Sequence, residues 1–225
     1  YWLPVREFPH PTDRPQKESQ MKYRQIVFDI DGTLIDSEQP ILHSLQEVLL
    51  HLTGRKYPLE DLTFCLGITG EDTLKRLDIQ DIPAAMELWF DILRQHENEM
   101  VLYGEIEELI THLKKAGYGL GIITSKPRIL FEQDFGKFHI SSYFHPVVCA
   151  DDTKEHKPTS GPLLKYMELS GAEKEDILYI GDSVYDSKCA ENAGVDFALA
   201  VWGSHTKTTP ANYYLKNPMD LLSVL

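Results

Sequence analysis

A short apolar run, Gln25-Ile26-Val27-Phe28, stops at two acids one residue apart, Asp29 and Asp31, followed by Gly32-Thr33-Leu34-Ile35-Asp36. No other stretch constrains the fold as strongly. Ile26, Val27 and Phe28 read as a strand buried on both faces, as in a parallel sheet. A strand interior has no use for paired carboxylates, whereas the carboxyl end of a strand in an open α/β sheet does, because ligand crevices form there. Gly32 indicates a loop with close backbone approach or unusual torsions, and Thr33 adds a hydroxyl and an amide. Asp29 and Asp31, with nearby backbone groups, suit a hard cation such as Mg2+, which prefers oxygen ligands and draws in phosphate. A bare D-x-D reads as a turn with solvated acids. The apolar lead-in and the G-T-L-x-D continuation argue against that here.

The rest of the chain divides into two patterns. Ser37 to Thr53 places Ile41, Leu45, Val48, Leu49 and Leu52 at helical spacing, with Gly54 suited to close the helix. A turn over Leu66-Gly67-Ile68-Thr69-Gly70 precedes a helix from near Glu71, and another helix is predicted from Pro83 to about Met100. Residues 37–102 thus read as an inserted helical unit without a strand. From Gly104 onward helices and strands alternate. Strands are predicted at Gly119–Ile123, Pro146–Cys149, Ile177–Ile180 and Val195–Ala200, and a short terminal helix at 217–225. A helix holding Leu130, Phe131, Phe135 and Phe138 follows the first of these, and Asp186–Ala193 is a short helix stopped by Gly194. Such alternation predicts a mostly parallel sheet with right-handed crossovers.

Three of these strands lead to polar groups. Thr124 and Ser125 follow the strand at Gly119–Ile123, where a hydroxyl and successive amides could hold an oxyanion, or could simply end a strand and cap a helix. Lys157-Pro158 precedes a helix, and a compact ammonium there suits a carboxylate and a phosphate together, although a lone Lys-Pro is usually surface. Gly181-Asp182-Ser183-Val184-Tyr185-Asp186 ends an apolar strand in one acid and opens a helix with another. Capping and the helix dipole explain Asp186 alone, but not Asp182.

Asp29-Ile30-Asp31-Gly32-Thr33-Leu34-Ile35-Asp36 resembles the first motif of the haloacid dehalogenase (HAD) superfamily in its phosphatase form. Thr124, Lys157-Pro158 and Gly181-Asp182-Ser183-Val184-Tyr185-Asp186 resemble its second, third and fourth motifs, in the same order. Ser160 stands where the family often has a second proline. The resemblance implies a Rossmann-like parallel-sheet core, 21–36 and 103–225, with a helical C1 cap at 37–102. It implies Asp29 as nucleophile and Asp31 as general acid/base, the latter lending its main-chain carbonyl to Mg2+. Asp182 would ligate Mg2+ directly, and Asp186 through water or by holding the surrounding shell. Gly32, Thr124, Ser125 and Lys157 would bind the phosphoryl group.

The expected activity is Mg2+-dependent hydrolysis of small phosphomonoesters through an aspartyl-phosphate, and the partner a small phosphorylated metabolite. The members it is most similar to are phosphoglycolate phosphatase-like, which Ala200-Val201-Trp202-Gly203 also resembles, and β-phosphoglucomutase-like. In the mutases an arginine commonly stands where Gly70 is here, suited to a second phosphate. That favours hydrolysis. A phosphomutase is the alternative, a catalytically silent HAD-like binding protein a further one. Dehalogenation is disfavoured because it needs neither Asp31 nor the metal set.

The 225 residues are enough for one full core with a sizeable insertion, and the net charge of −13 argues against a nucleic-acid partner. Cys65, Cys149 and Cys189 are odd in number and form no C-x-x-C pair, so buried free thiols in a reducing cytoplasm are expected. No run approaches the ~18 apolar residues of a membrane span. Residues 1–20 hold four prolines and no apolar signal-peptide core, and Met21 reads as a natural start. This leader is given no function. Oligomeric state is open. Asp151-Asp152 reads as ordinary loop acids, His43, His51, His96 and His112 as helix-surface groups, and Trp89 and Phe90 as packing within the helical unit.

Overall fold

The computed structural model describes residues 21–206 and 208–225. The leader at 1–20 lies outside the described residues. The described residues hold eight strands: β1 (Gln25–Phe28), β2 (Ile35–Asp36), β3 (Val101–Leu102), β4 (Gly119–Ile123), β5 (Val147–Val148), β6 (Ile177–Gly181), β7 (Asp196–Ala200) and β8 (Tyr213–Leu215). The helices are α1 (Glu38–Thr53), α2 (Gly70–Arg76), α3 (Ile82–Arg94), α4 (Ile106–Ala116), α5 (Arg128–Asp134), α6 (Gly161–Ser170) and α7 (Val184–Ala193).

Six strands form one sheet in the order β5-β4-β1-β6-β7-β8, every neighbour parallel. The apolar run predicted as β1 lies at its centre because both its faces are covered. Ile26 and Phe28 belong to one buried cluster with Ile122 and Ile180, while Val27 belongs to a second with Ile123, Tyr179 and Leu199. The chain places β4 on one side of β1 and β6 on the other, with Phe28 level with both Ile122 and Ile180. The strand order reverses there, so the carboxyl ends of β4, β1 and β6 open side by side into one crevice.

The α/β class and the parallel sheet match the sequence expectation, with local differences. β8 carries no apolar run, since it is a three-residue edge strand with Tyr214 exposed. β2 and β3 pair antiparallel at the two ends of the helical segment, and two residues each are too few to signal a strand. α3 stops at Arg94 instead of near Met100, followed by a single tight turn at Glu97–Glu99. α5 ends at Asp134, before Phe135 and Phe138, which still stack in the core at 6.0 Å between ring centroids. The terminal segment is a tight 3-10 turn, Pro218–Ser223, in place of an α-helix. Between β2 and β3, α1 packs along α3, and Trp89 donates its Nε1–H to the Ser44 hydroxyl at 2.9 Å. No helix among the described residues is long and apolar enough to cross a membrane.

All three cysteines are free and buried, as expected, and burial pushes each thiol up to about 12. Thiolates are the reactive form, so native protein at pH 8 should resist a disulfide-exchange reagent, and denatured protein should titrate all three. Rapid reaction of even one thiol in the folded protein would contradict this packing.

Candidate active site

Asp29 is the first residue past β1, Thr124 the first past β4 and Asp182 the first past β6. Asp186 follows one helical turn later on α7, where it and Ser183 form a capping box. β1, β6 and the start of α7 therefore bring three predicted site residues, Asp29, Asp182 and Asp186, to one place, and Thr124 follows the strand next to β1. Asp29, Asp182 and Asp186 each offer a carboxylate oxygen, all within 4.8 Å of one another, and all three side chains are buried.

Lys157 is the cation among them. Its ammonium donates to Asp29 Oδ1 at 2.8 Å and lies 2.7 Å from Asp186 Oδ1. Burial works against its charge, but Asp186 and Asp29 outweigh it and hold the ammonium above the usual lysine range. Burial also raises the Asp29 carboxyl, opposed by Lys157 and reinforced by Asp186 and Asp31. Asp182 is raised by burial first, then by Asp186 and Asp29. Three carboxylates facing one ammonium leave two surplus negative charges when all are ionised. Oxygen-only donors with that surplus suit a hard divalent cation.

Asp186 is occupied. Tyr179 donates to its Oδ1 at 2.7 Å, and the Ser183 amide and hydroxyl donate to its Oδ2 at 3.1 and 2.5 Å. It is therefore better placed to hold its neighbours than to ligate first. Asp31 is set apart from the three. Its Oδ1 accepts from the Ser37 hydroxyl at 2.5 Å and lies 3.1 Å from the Lys126 ammonium.

Two glycines allow the close approach. Gly32 has φ +75°, and a Cβ there would lie 2.4 Å from Asp182 Oδ2. A Cβ on Gly203 would meet the Gly32 carbonyl oxygen at 1.8 Å, and the adjacent Trp202 indole donates to the Thr33 carbonyl at 3.0 Å. Thr33 in turn donates to Asp182 Oδ1 at 3.3 Å. Thr124 is buried, its Oγ1 accepting from the Lys126 amide at 3.1 Å, while Ser125 donates to the Gly67 carbonyl at 2.9 Å. That last bond ties the core to the turn before α2.

A cleft of about 70 Å3, partly open to solvent, has Asp29, Asp31, Ser125 and Lys126 among its lining residues, together with Trp89 and Phe90 from α3. These aromatics thus pack, as expected, and also border the cleft. Asp151 and Asp152 are taken up by Arg128.

The sequence profile described as haloacid dehalogenase-like hydrolase matches residues 26–200. The chain belongs to this family. A pyrophosphatase, PpaX, of Bacillus mycoides is 30% identical to this hydrolase over 210 residues, covering 91% of this chain and 98% of that one. A candidate phosphoglycolate phosphatase from Lactobacillus plantarum superposes with a TM-score of 0.84 at 29% identity, covering 91% of this chain and all of that one. CbbY of Rhodobacter sphaeroides shares the fold at a TM-score of 0.77 and 20% identity, over 88% of this chain and 96% of its own.

Lys126 had no sequence signal beyond its place after Thr124-Ser125. It is buried and bridges Asp31 to Asp134, whose Oδ2 accepts its proton at 2.7 Å. Asp134→Ala should destabilise this hydrolase by about 3–5 kcal/mol, because it leaves a buried ammonium with one partner fewer. Denaturant titration measures this, and a loss below about 1 kcal/mol would show that Asp31 alone sustains the charge.

Proposed function

We propose that this hydrolase is a Mg2+-dependent phosphatase of the phosphoglycolate phosphatase-like group, acting on small phosphomonoesters through an aspartyl-phosphate. The convergence of Asp29, Lys157, Asp182 and Asp186 at the sheet's switch point carries the reading. Both relatives near 30% identity are named for phosphate hydrolysis.

Asp29 attacks phosphorus, the P–O bond to the alcohol breaks, and Asp31 gives its proton to the departing oxygen. Asp31 then takes a proton from water, which attacks the phosphorus of the aspartyl-phosphate. Phosphate leaves and Asp29 is regenerated. Lys157 commits two of its hydrogens to Asp29 and Asp186, so its third is available to a phosphoryl oxygen. The Thr124 hydroxyl, with Gly32 and Ser125, completes the phosphoryl cradle. Asp29, Asp182 and the Asp31 carbonyl, with Asp186 behind them, would hold Mg2+, which would neutralise phosphoryl charge when bound. Residues 37–102 serve as the cap, and 21–36 with 103–225 as the core. Free buried thiols suit a cytoplasmic setting.

Hydrolysis is favoured over a mutase by the surroundings of Gly70. A Cβ there would meet Met86 at 2.9 Å, so that position borders an apolar wall. Lys75 pairs with Glu71 at 2.8 Å, and Arg76 donates to the Tyr185 hydroxyl at 2.9 Å. Neither lines the cleft. With β-glucose 1-phosphate, Mg2+ and a trace of glucose 1,6-bisphosphate, any turnover should yield free phosphate and glucose. Glucose 6-phosphate without matching phosphate release would establish a mutase instead.

A further inference from the structure

The cleft is lined by residues of two kinds. Asp29 and Asp31 come from the carboxyl end of β1, while the apolar Ile68, Met86, Trp89, Phe90 and Leu93 come from the helical segment and Leu130 from α5. The only polar atom of the Trp89 side chain is committed to Ser44. Lys126 is the one cation among the described residues lining this space, and it is buried between Asp134 and Asp31. A second, much smaller opening of about 10 Å3 is bordered by Glu38 and His205, paired at 3.0 Å, and it touches Asp31 and Asp182 but not Asp29. An ester whose phosphorus sits on Asp29 and whose bridging oxygen faces Asp31 therefore extends its alcohol into the first, apolar space.

We infer that this enzyme prefers phosphomonoesters of uncharged, largely apolar alcohols, aryl or alkyl, and rejects esters whose alcohol carries a second anion. The inference rests on the phosphatase reading above and names its substrate class. A carboxylate or a second phosphate on the alcohol would give up water for hydrocarbon without gaining a counter-charge. An apolar group gains by covering the same wall.

The test compares benzyl phosphate with para-carboxybenzyl phosphate in the Mg2+-loaded enzyme. Their benzylic leaving oxygens are alike, so intrinsic reactivity is nearly matched and the remote charge is the main difference. The kcat/KM for benzyl phosphate should be higher by about tenfold or more. Met86→Lys, and separately Phe90→Lys, should narrow or invert that ratio by supplying a cation to the wall. Equal or better use of the carboxylated ester by the parent enzyme would overturn the inference. So would a ratio unchanged in both variants while they remain folded by circular dichroism. Phosphoglycolate or pyrophosphate outrunning benzyl phosphate would overturn it too, leaving the phosphatase reading intact. No phosphate release from any ester, para-nitrophenyl phosphate included, would instead remove the phosphatase reading itself.

Discussion

Protein stripped with EDTA should release no phosphate from para-nitrophenyl phosphate, and Mg2+ should restore turnover. The expected loss is about a thousandfold or more, since a metal that neutralises phosphoryl charge contributes several kcal/mol to the transition state. The cause lies in the donor set. Asp29, Asp182 and Asp186 are buried within 4.8 Å of one another, and Lys157 balances only one of their charges. A phosphate dianion entering that site without a cation meets repulsion. Mg2+ should also raise Tm, because it binds the folded cluster and not the unfolded chain. Ca2+ should support turnover poorly, since its longer and looser coordination displaces the nucleophile. Unchanged Tm and full activity in thoroughly chelated protein would together dismiss a metal role.

Asp29→Asn and Asp31→Asn should fail by different amounts on different substrates. Asp29→Asn removes the proposed nucleophile, so kcat/KM should fall by about 10^4-fold or more whatever the alcohol. Asp31→Asn keeps Asp29 and its bond from Lys157, 2.8 Å long. The loss in kcat/KM, which reads the first step, should then be about 10^2- to 10^4-fold on an alkyl phosphate. It should be smaller on an aryl phosphate, whose leaving oxygen needs little protonation. Turnover should stay low on both, because the base proposed to activate water is gone. Equal losses in kcat/KM on alkyl and aryl esters for Asp31→Asn would refute its acid role.

Much of this site is legible from the chain because its parts are local. Ile26-Val27-Phe28 and Ile177-Leu178-Tyr179-Ile180 are apolar runs that each end near an acid, and strand periodicity with a parallel sheet places those ends together. Lys157 is local in another sense, sitting just ahead of a helix. Lys126 is the opposite case. What makes it part of the site is Asp31, far away in sequence, and Asp134 at the end of α5, and neither pairing leaves a pattern in the chain. Ser37 is similar, a residue read as a helix start whose hydroxyl is directed to Asp31. Trp89 and Phe90 show a further limit. An apolar stripe on a helix has one appearance whether it meets another helix or borders a cleft, and α3 does both. β8 was hidden because an edge strand with one exposed tyrosine lacks the alternation that marks a strand.

A covalent phosphoryl group on Asp29 is what distinguishes this mechanism from direct attack by water. The enzyme is mixed with para-nitrophenyl phosphate and Mg2+, quenched in acid within the first turnover, digested with pepsin at low pH and read by mass spectrometry. Asp31→Asn, which should accumulate the intermediate, is run beside the parent. One added phosphoryl group is expected on the peptide containing Asp29, strongest in Asp31→Asn and absent in Asp29→Asn. A phosphoryl group that persists in Asp29→Asn, or that maps to any other residue, would contradict this mechanism.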